Sequence, residues 1–315
     1  MFSLRKNLGL EIGQKAIRAA KLKKIGGEFE VQWLKEAPLP AGLLQDSFTE
    51  PNILNVPEFA AMVRGLLDGN TRGSRLSVTL PDYVARVQVL DFDSAPKINE
   101  TEQMLRWRLR KILPFEIDLA TLRWQYLGKF QANEKDQHRY LASIIKTEIL
   151  SQYRAALTEA GVDVERLGLA SFSVWNLFRA NVLKELGESA NFAVMNLAAG
   201  KLSVIIFHKG SPHFMRLKDL GKLEDSSEDG RLDIIRVLRE LNASLVYYKE
   251  NFSSASIKTV YISGDAKGIE ALVDEAGAKS GIDARVLSLK SAVRQGVAPG
   301  MSACFSAACG AASEI

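Results

Sequence analysis

Two stretches far apart in the chain follow one pattern: LGLEIGQKAIRAAKLKKIGGEFE at residues 8–30 and FAVMNLAAGKLSVIIFHKGSPHF at residues 192–214. Each reads as strand, short turn, strand, glycine-containing turn, strand, with the period-2 alternation of a half-buried antiparallel meander. Superposed, Asn196 falls on Glu11, Ala198 on Gly13, Leu202 on Ile17 and Phe207 on Leu22. Two unrelated meanders would also align, because period-2 patterns match one another cheaply. Taken as a duplication, the pattern dictates two α/β lobes that open with equivalent meanders and face one another across a cleft. A phosphate-bearing ligand held there would meet a turn from each lobe.

Between the copies, residues 56–67 form an amphipathic helix, and RLSVTLP and ARVQVLDF are strands. NETEQMLRWRLRKIL reads as a helix with Asn99 as N-cap and Glu102 three residues on, stopped by Pro114. LRWQYLGKF and RYLASIIK are strands, EILSQYRAALTEAGV is a helix ending at Gly161, and SFSVWNLFRANVLKELGES is a helix ending near Gly187. After the second meander come the acidic loop KLEDSSEDG, a long helix over 231–252, the strand and loop TVYISGDAKG, and a helix to Gly277. A strand near DARVL and a small-residue helix complete the chain.

Several function classes have little support. No apolar run approaches the ~20 residues that span a bilayer, and the start MFSLRKNLGLEIG lacks a signal-peptide pattern, which points to the cytoplasm. Two cysteines, Cys304 and Cys309, suit reduced buried thiols better than a disulfide framework or a zinc site. His208 and His213 flank a turn without a third ligand, His138 stands alone in a polar stretch, and no serine sits in a nucleophile elbow. The net charge of +4 is modest, and its densest cluster, RWRLRK at 106–111, reads as the wet or partner-facing side of an amphipathic helix. Nucleic-acid binding normally takes a broader basic footprint, so no nucleic-acid partner is expected.

The two meanders and the late ISGDAKGIEAL resemble the two phosphate loops and the adenosine loop of the actin-like ATPases. LPDYVARVQVLDF followed by LRWRLRKILPFEIDLATLRWQYLG resembles the inserted subdomain of the PilM family of type IV pilus assembly proteins, which is related to FtsA. The family's helix before the adenosine loop is similar to LRELNASLVYYKENF. The cytoplasmic region of GspL, from type II secretion, is a close alternative within the same class. The resemblance implies an α/β, two-lobed actin-like (ribonuclease H-like) fold with an FtsA/PilM-type insert. Residues 1–80 with 159–187 would form the first lobe, 81–158 the insert and 188–315 the second lobe, its subdomain reduced around 218–256.

It also implies a nucleotide site, with Glu11, Gly13, Gln14 and Lys15 in the first loop, Asn196 and Ala198 in the second, and Gly264 and Asp265 in the third. Glu11 could hold magnesium only if Mg-ATP binds. Asn196 and Ala198 replace the expected aspartate and glycine, and of three expected glycines in the adenosine loop Gly264 alone remains, followed by Asp265 and Ala266. KDLGKLEDSSEDG stands where relatives carry a nucleoside-contacting helix, with Lys222 and Glu224 as its only candidate remnants. The expectation is a non-enzymatic scaffold with a degenerate pocket; the alternative is an active ATPase that switches or polymerises. By resemblance, the partner is the N-terminal tail of a bitopic inner-membrane protein, PilN-like, bound between the first lobe and the insert. Trp107 and Phe115 are candidates to line that groove, although aromatics on such helices are more often core. Self-association is a further possibility the resemblance carries.

Overall fold

The computed structural model describes residues 7–69, 75–94, 97–132, 135–221, 233–251, 256–266, 268–294 and 303–314. The chain opens with the meander β1 (Asn7–Ile12), β2 (Ala16–Ile25) and β3 (Glu28–Pro38), the last two being long strands. The helix Val56–Leu67 follows, capped by Asn55, whose side chain accepts from the Glu58 backbone N–H at 3.2 Å. Then come β4 (Arg75–Leu80), the short turn Asp82–Val84 and β5 (Ala85–Phe92). The helix Ile98–Leu109 starts after Lys97, so Asn99 lies inside its first turn rather than at the cap. Long strands β6 (Ala120–Ala132) and β7 (Lys135–Lys146) lead into the helix Thr147–Glu159, then β8 (Asp163–Leu169) and the helix Ala170–Leu186.

The second half repeats the plan. β9 (Phe192–Ala198), β10 (Lys201–His208) and β11 (Ser211–Asp219) form the second meander, followed by the helix Ile234–Asn251 and β12 (Thr259–Gly264). The next helix runs Ile269–Ser280, three residues past Gly277, and ends on left-handed Gly281; β13 (Asp283–Val286) and the helix Ser306–Ser313 follow. Lys222 and Glu224 lie outside the described residues, as do the parts 222–232 and 252–255 of the expected reduced subdomain.

Strand order makes the duplication explicit. The first sheet reads β3-β2-β1-β4-β8 and the second β11-β10-β9-β12-β13, each an antiparallel meander extended by two parallel strands. Parallel strands need crossover helices, and the intervening helices supply them. The insert is a separate sheet, β5-β7-β6. One of its faces packs Leu122, Tyr140, Ala142 and Ile144 against Leu105 and Leu109 of the helix Ile98–Leu109. The helix Thr147–Glu159, inside the expected insert boundary at 158, buries Ile149, Tyr153, Ala156 and Leu157 in the first-lobe core.

The last helix explains its own composition. A Cβ on Gly9 would come within 2.1 Å of the Ala308 carbonyl oxygen and 2.4 Å of the Ala312 nitrogen, and one on Gly310 within 2.1 Å of the Ser173 carbonyl oxygen. The helix Ser306–Ser313 therefore lies backbone to backbone against β1 and the helix Ala170–Leu186, which only small residues allow. Cys309 is fully buried there and its thiol is pushed up to about 12 by burial, which makes it inert; Cys304 is half-buried, and neither is in a disulfide.

Candidate functional site

The duplicated turns do meet across the cleft. Glu11, near the end of β1, faces Arg18 on β2, and the Gly13 N–H donates to the Ala16 carbonyl at 3.0 Å to close the first turn. The second turn is a two-residue hairpin in which Ala199 and Gly200 both have positive φ, 48° and 79°, the geometry that suits the twist of paired strands. Gly264 has φ of 141°, and a Cβ there would meet the Leu197 carbonyl oxygen at 1.9 Å. Close packing of β12 on β9 is therefore enough to require this glycine.

The space between the turns is filled by the protein's own charges. Arg18, buried in β2, donates from Nε to Glu36 at 2.5 Å, from Nη1 to Glu11 at 3.5 Å and, across the cleft, from Nη2 to Asp265 at 3.3 Å. Asp265 also accepts from the Ala199 N–H at 3.2 Å, which ties the adenosine-type loop to the second turn. Asp82 accepts from the Ser171 N–H at 3.0 Å and from the Ser171 hydroxyl in its own lobe, and from the Ser203 hydroxyl of the other lobe at 2.6 Å. Lys201, on β10, reaches Asp219 at 2.5 Å and also pairs with Asp46 of the first lobe. Three polar links thus cross from lobe to lobe.

What remains open between the turns is a cavity of about 40 Å³, lined by Glu11, Gly13, Gln14, Asn196, Ala198 and Asp265 among others. Drug-sized ligands occupy roughly 300–1,000 Å³. Lys15 is exposed at the turn and does not line this cavity. Among the described residues no group of acidic, histidine or cysteine side chains is arranged to hold a metal ion.

Burial pushes the Glu11 carboxyl up to about 7, against the pull of Arg18, because one guanidinium serves three carboxylates. The ordinary value for such a group is 4.5. Between those values the folded chain holds a proton that the unfolded chain has released, so this group's contribution to stability falls as pH rises through that window. We expect a thermal melt to lose on the order of 2 kcal/mol between pH 5 and pH 8 from Glu11. In Glu11→Gln the slope should flatten; an unchanged slope would place the titration elsewhere.

A second, larger opening lies between the insert and the first lobe, with a volume of about 470 Å³. Its floor is the face of the insert sheet opposite the helix Ile98–Leu109, presenting Val87, Leu141 and Ile145. Its other wall is Leu150 on the helix Thr147–Glu159, Leu167 and Leu169 on β8, and Phe172. β8 ends the first sheet, and its outer edge has no strand partner among the described residues. Trp124 and Arg123 contribute from β6.

Trp107 and Phe115 do not line this groove. Trp107 projects into solvent, and Phe115 packs on the insert core with its ring 5.3 Å from Phe48. Helix periodicity placed them near an apolar face without saying which side of the sheet that face covers. His138 lies on β7 and accepts from or donates to the Tyr126 hydroxyl at 2.8 Å. His213 is buried, bonded to Arg139, which also holds Asp91 at 2.7 Å; these groups join insert to second lobe.

The model of the Type IV pilus assembly protein PilM family matches residues 9–225. No curated protein sequence matches. Among solved structures, a "PilM-PilN type IV pilus biogenesis complex" is similar at TM-score 0.81 and 20% identity, over 98% of this chain and 97% of that one. A Bacteroides thetaiotaomicron protein with an actin-like ATPase fold and unknown function is similar at TM-score 0.55 and 8% identity, over 93% of both chains. The ethanolamine utilization protein EutJ from Carboxydothermus hydrogenoformans follows at TM-score 0.50 and 11% identity, over 99% of this chain and 90% of that one. These likenesses establish an actin-like fold, and the family match, which spans the first lobe, the insert and the second meander, establishes that the chain belongs to the PilM family of type IV pilus assembly proteins.

Proposed function

We propose that this chain is a non-enzymatic scaffold of type IV pilus assembly that captures the N-terminal cytoplasmic tail of a PilN-like inner-membrane protein in the groove between insert and first lobe. The observation that carries the reading is the groove itself: an apolar floor and wall of about 470 Å³ beside the unpaired edge of β8. An extended tail laid there would gain main-chain hydrogen bonds from β8 and bury alternate side chains against Leu141, Ile145 and Leu150. The similar solved complex contains PilN by its own description, which makes that partner class the natural one to test. Among the described residues no helix is long and apolar enough to cross a membrane, so in this reading the partner carries the chain to the cytoplasmic face of the bilayer.

The same reading gives the chain no nucleotide cofactor. Mg-ATP requires open space, a carboxylate free for metal and donors aimed at phosphate. Between the turns the chain instead offers about 40 Å³, a Glu11 carboxyl shared with Arg18, and Asp265 where the nucleotide would approach; the adjoining opening of about 660 Å³ between the lobes is bordered by Lys201, which pairs with Asp46 and Asp219, and by Asp82. Asn196 supplies an amide in place of the second carboxylate, which argues against hydrolysis further.

The test is fluorescence anisotropy with a labelled N-terminal peptide from the bitopic membrane protein encoded beside this chain. Micromolar binding that Leu150→Asp removes supports tail capture. Binding that survives Leu150→Asp would move the site elsewhere, and absence of binding would refute the reading.

A further inference from the structure

The RWRLRK cluster has no part in the cleft or the groove. The helix Ile98–Leu109 buries Leu105 and Leu109 on the insert sheet and leaves Trp107 59% exposed. Arg106 is committed locally: it pairs with Glu102 at 2.9 Å and donates to the carbonyls of Ile117 and Ala120 at 3.1 and 3.2 Å. Those two bonds hold the turn Ile117–Leu119 alongside the helix, where Leu119 is 53% exposed; Ile112, just past the helix end, is 49% exposed. The Lys111 ammonium lies 5.2 Å above the Trp107 ring. The guanidinium groups of exposed Arg108 and Arg110 have no hydrogen-bond or ion-pair partner among the described residues.

We propose that this Trp107, Arg108, Arg110 and Lys111 face docks on an anionic lipid surface. The two kinds of exposed group point to the same occupant. Uncommitted cations complement lipid phosphates, while the exposed apolar side chains Trp107, Ile112 and Leu119 on the same segment suit the boundary between headgroups and acyl chains. Nucleic acid would answer the cations and leave the aliphatic side chains unexplained. Exposed Glu116 and Asp118 on the same stretch oppose the attraction, so the contact is weak and reversible. It supplements any tether through a membrane partner and does not depend on tail capture.

Flotation of the full chain with phosphatidylglycerol-containing vesicles, against phosphatidylcholine vesicles, tests this. The chain should float with the anionic vesicles alone, and Arg108→Glu with Arg110→Glu should lower the bound fraction about tenfold at an unchanged melting temperature. Brominated lipid should quench tryptophan emission in the unmodified chain, and that quenching should vanish in Trp107→Phe. Leu150→Asp should float normally, so lipid docking and tail capture fail separately. No flotation, equal flotation with neutral vesicles, indifference to the double charge reversal, or retention of duplex DNA or RNA in place of vesicles would overturn the proposal.

Discussion

Leu141→Asp combined with Leu150→Asp should abolish tail-peptide binding, weakening it at least about a hundredfold, while the chain stays folded. Each substitution places a carboxylate on one wall of an apolar groove, where a bound tail would strip it of water without supplying a partner. The loss for one such buried, unpaired charge is several kcal/mol, and two on facing walls exceed any compensation from solvent access. Both side chains are half-buried in the free protein, so the substitutions leave the cores of the first lobe and the insert intact. Anisotropy measures the binding, and circular dichroism with a thermal melt confirms the fold. Retained binding would show that the groove is not where the tail sits.

Gly9→Val should destabilise the chain by more than about 3 kcal/mol, through forced separation of the last helix from the first sheet. The added Cβ would start 2.1 Å from the Ala308 carbonyl oxygen, which belongs to helix backbone and cannot swing aside. Relief requires the helix Ser306–Ser313 to move off β1, which also breaks the bond from the Asn7 amide to the Ala312 carbonyl at 3.2 Å and uncovers Ala308 and Cys309. The matched control is Gly65→Ala in the exposed part of the helix Val56–Leu67, where a Cβ meets nothing within 4 Å. That change should raise stability by roughly 0.5–1 kcal/mol through helix propensity. A Gly9→Val variant with native stability would mean that the last helix is not seated as described.

The parts legible in the sequence are those that rest on local periodicity and turn chemistry. Both meanders, the Asn196-on-Glu11 correspondence and the helix Val56–Leu67 follow from alternation, glycine placement and capping, and the folded chain has them. β8 escaped notice because DVERLGL interrupts a weak apolar alternation with Glu165, Arg166 and Gly168, yet it forms an edge of the groove. An edge strand with one wet side needs little apolar signal. Asp82 reads as ordinary turn chemistry after Pro81, and its three-way link to Ser171 and Ser203 depends on residues far away in sequence. Arg18 did leave a trace: a charged residue inside the run AIRAA, whose five positions are all buried. Such a residue must be paired, and its partners could be found only once Glu36 and Asp265 were placed beside it.

The cleft thus differs from the groove in what its residues have left to offer. Arg18, Asp82, Lys201 and Asp265 are engaged with neighbouring residues and with groups of the other lobe and function as a joint, while Glu11 meets Arg18 through one oxygen and its buried Oε2 has no partner among the described residues. The groove keeps apolar surface and an unpaired strand edge.

Isothermal titration calorimetry of the full chain with Mg-ATP, followed by the tail peptide in the same cell, tests this division most directly. The account predicts no heat of binding from Mg-ATP and micromolar peptide binding that is the same with and without it. Micromolar Mg-ATP affinity with measurable phosphate release, or peptide binding that requires the nucleotide, would contradict it.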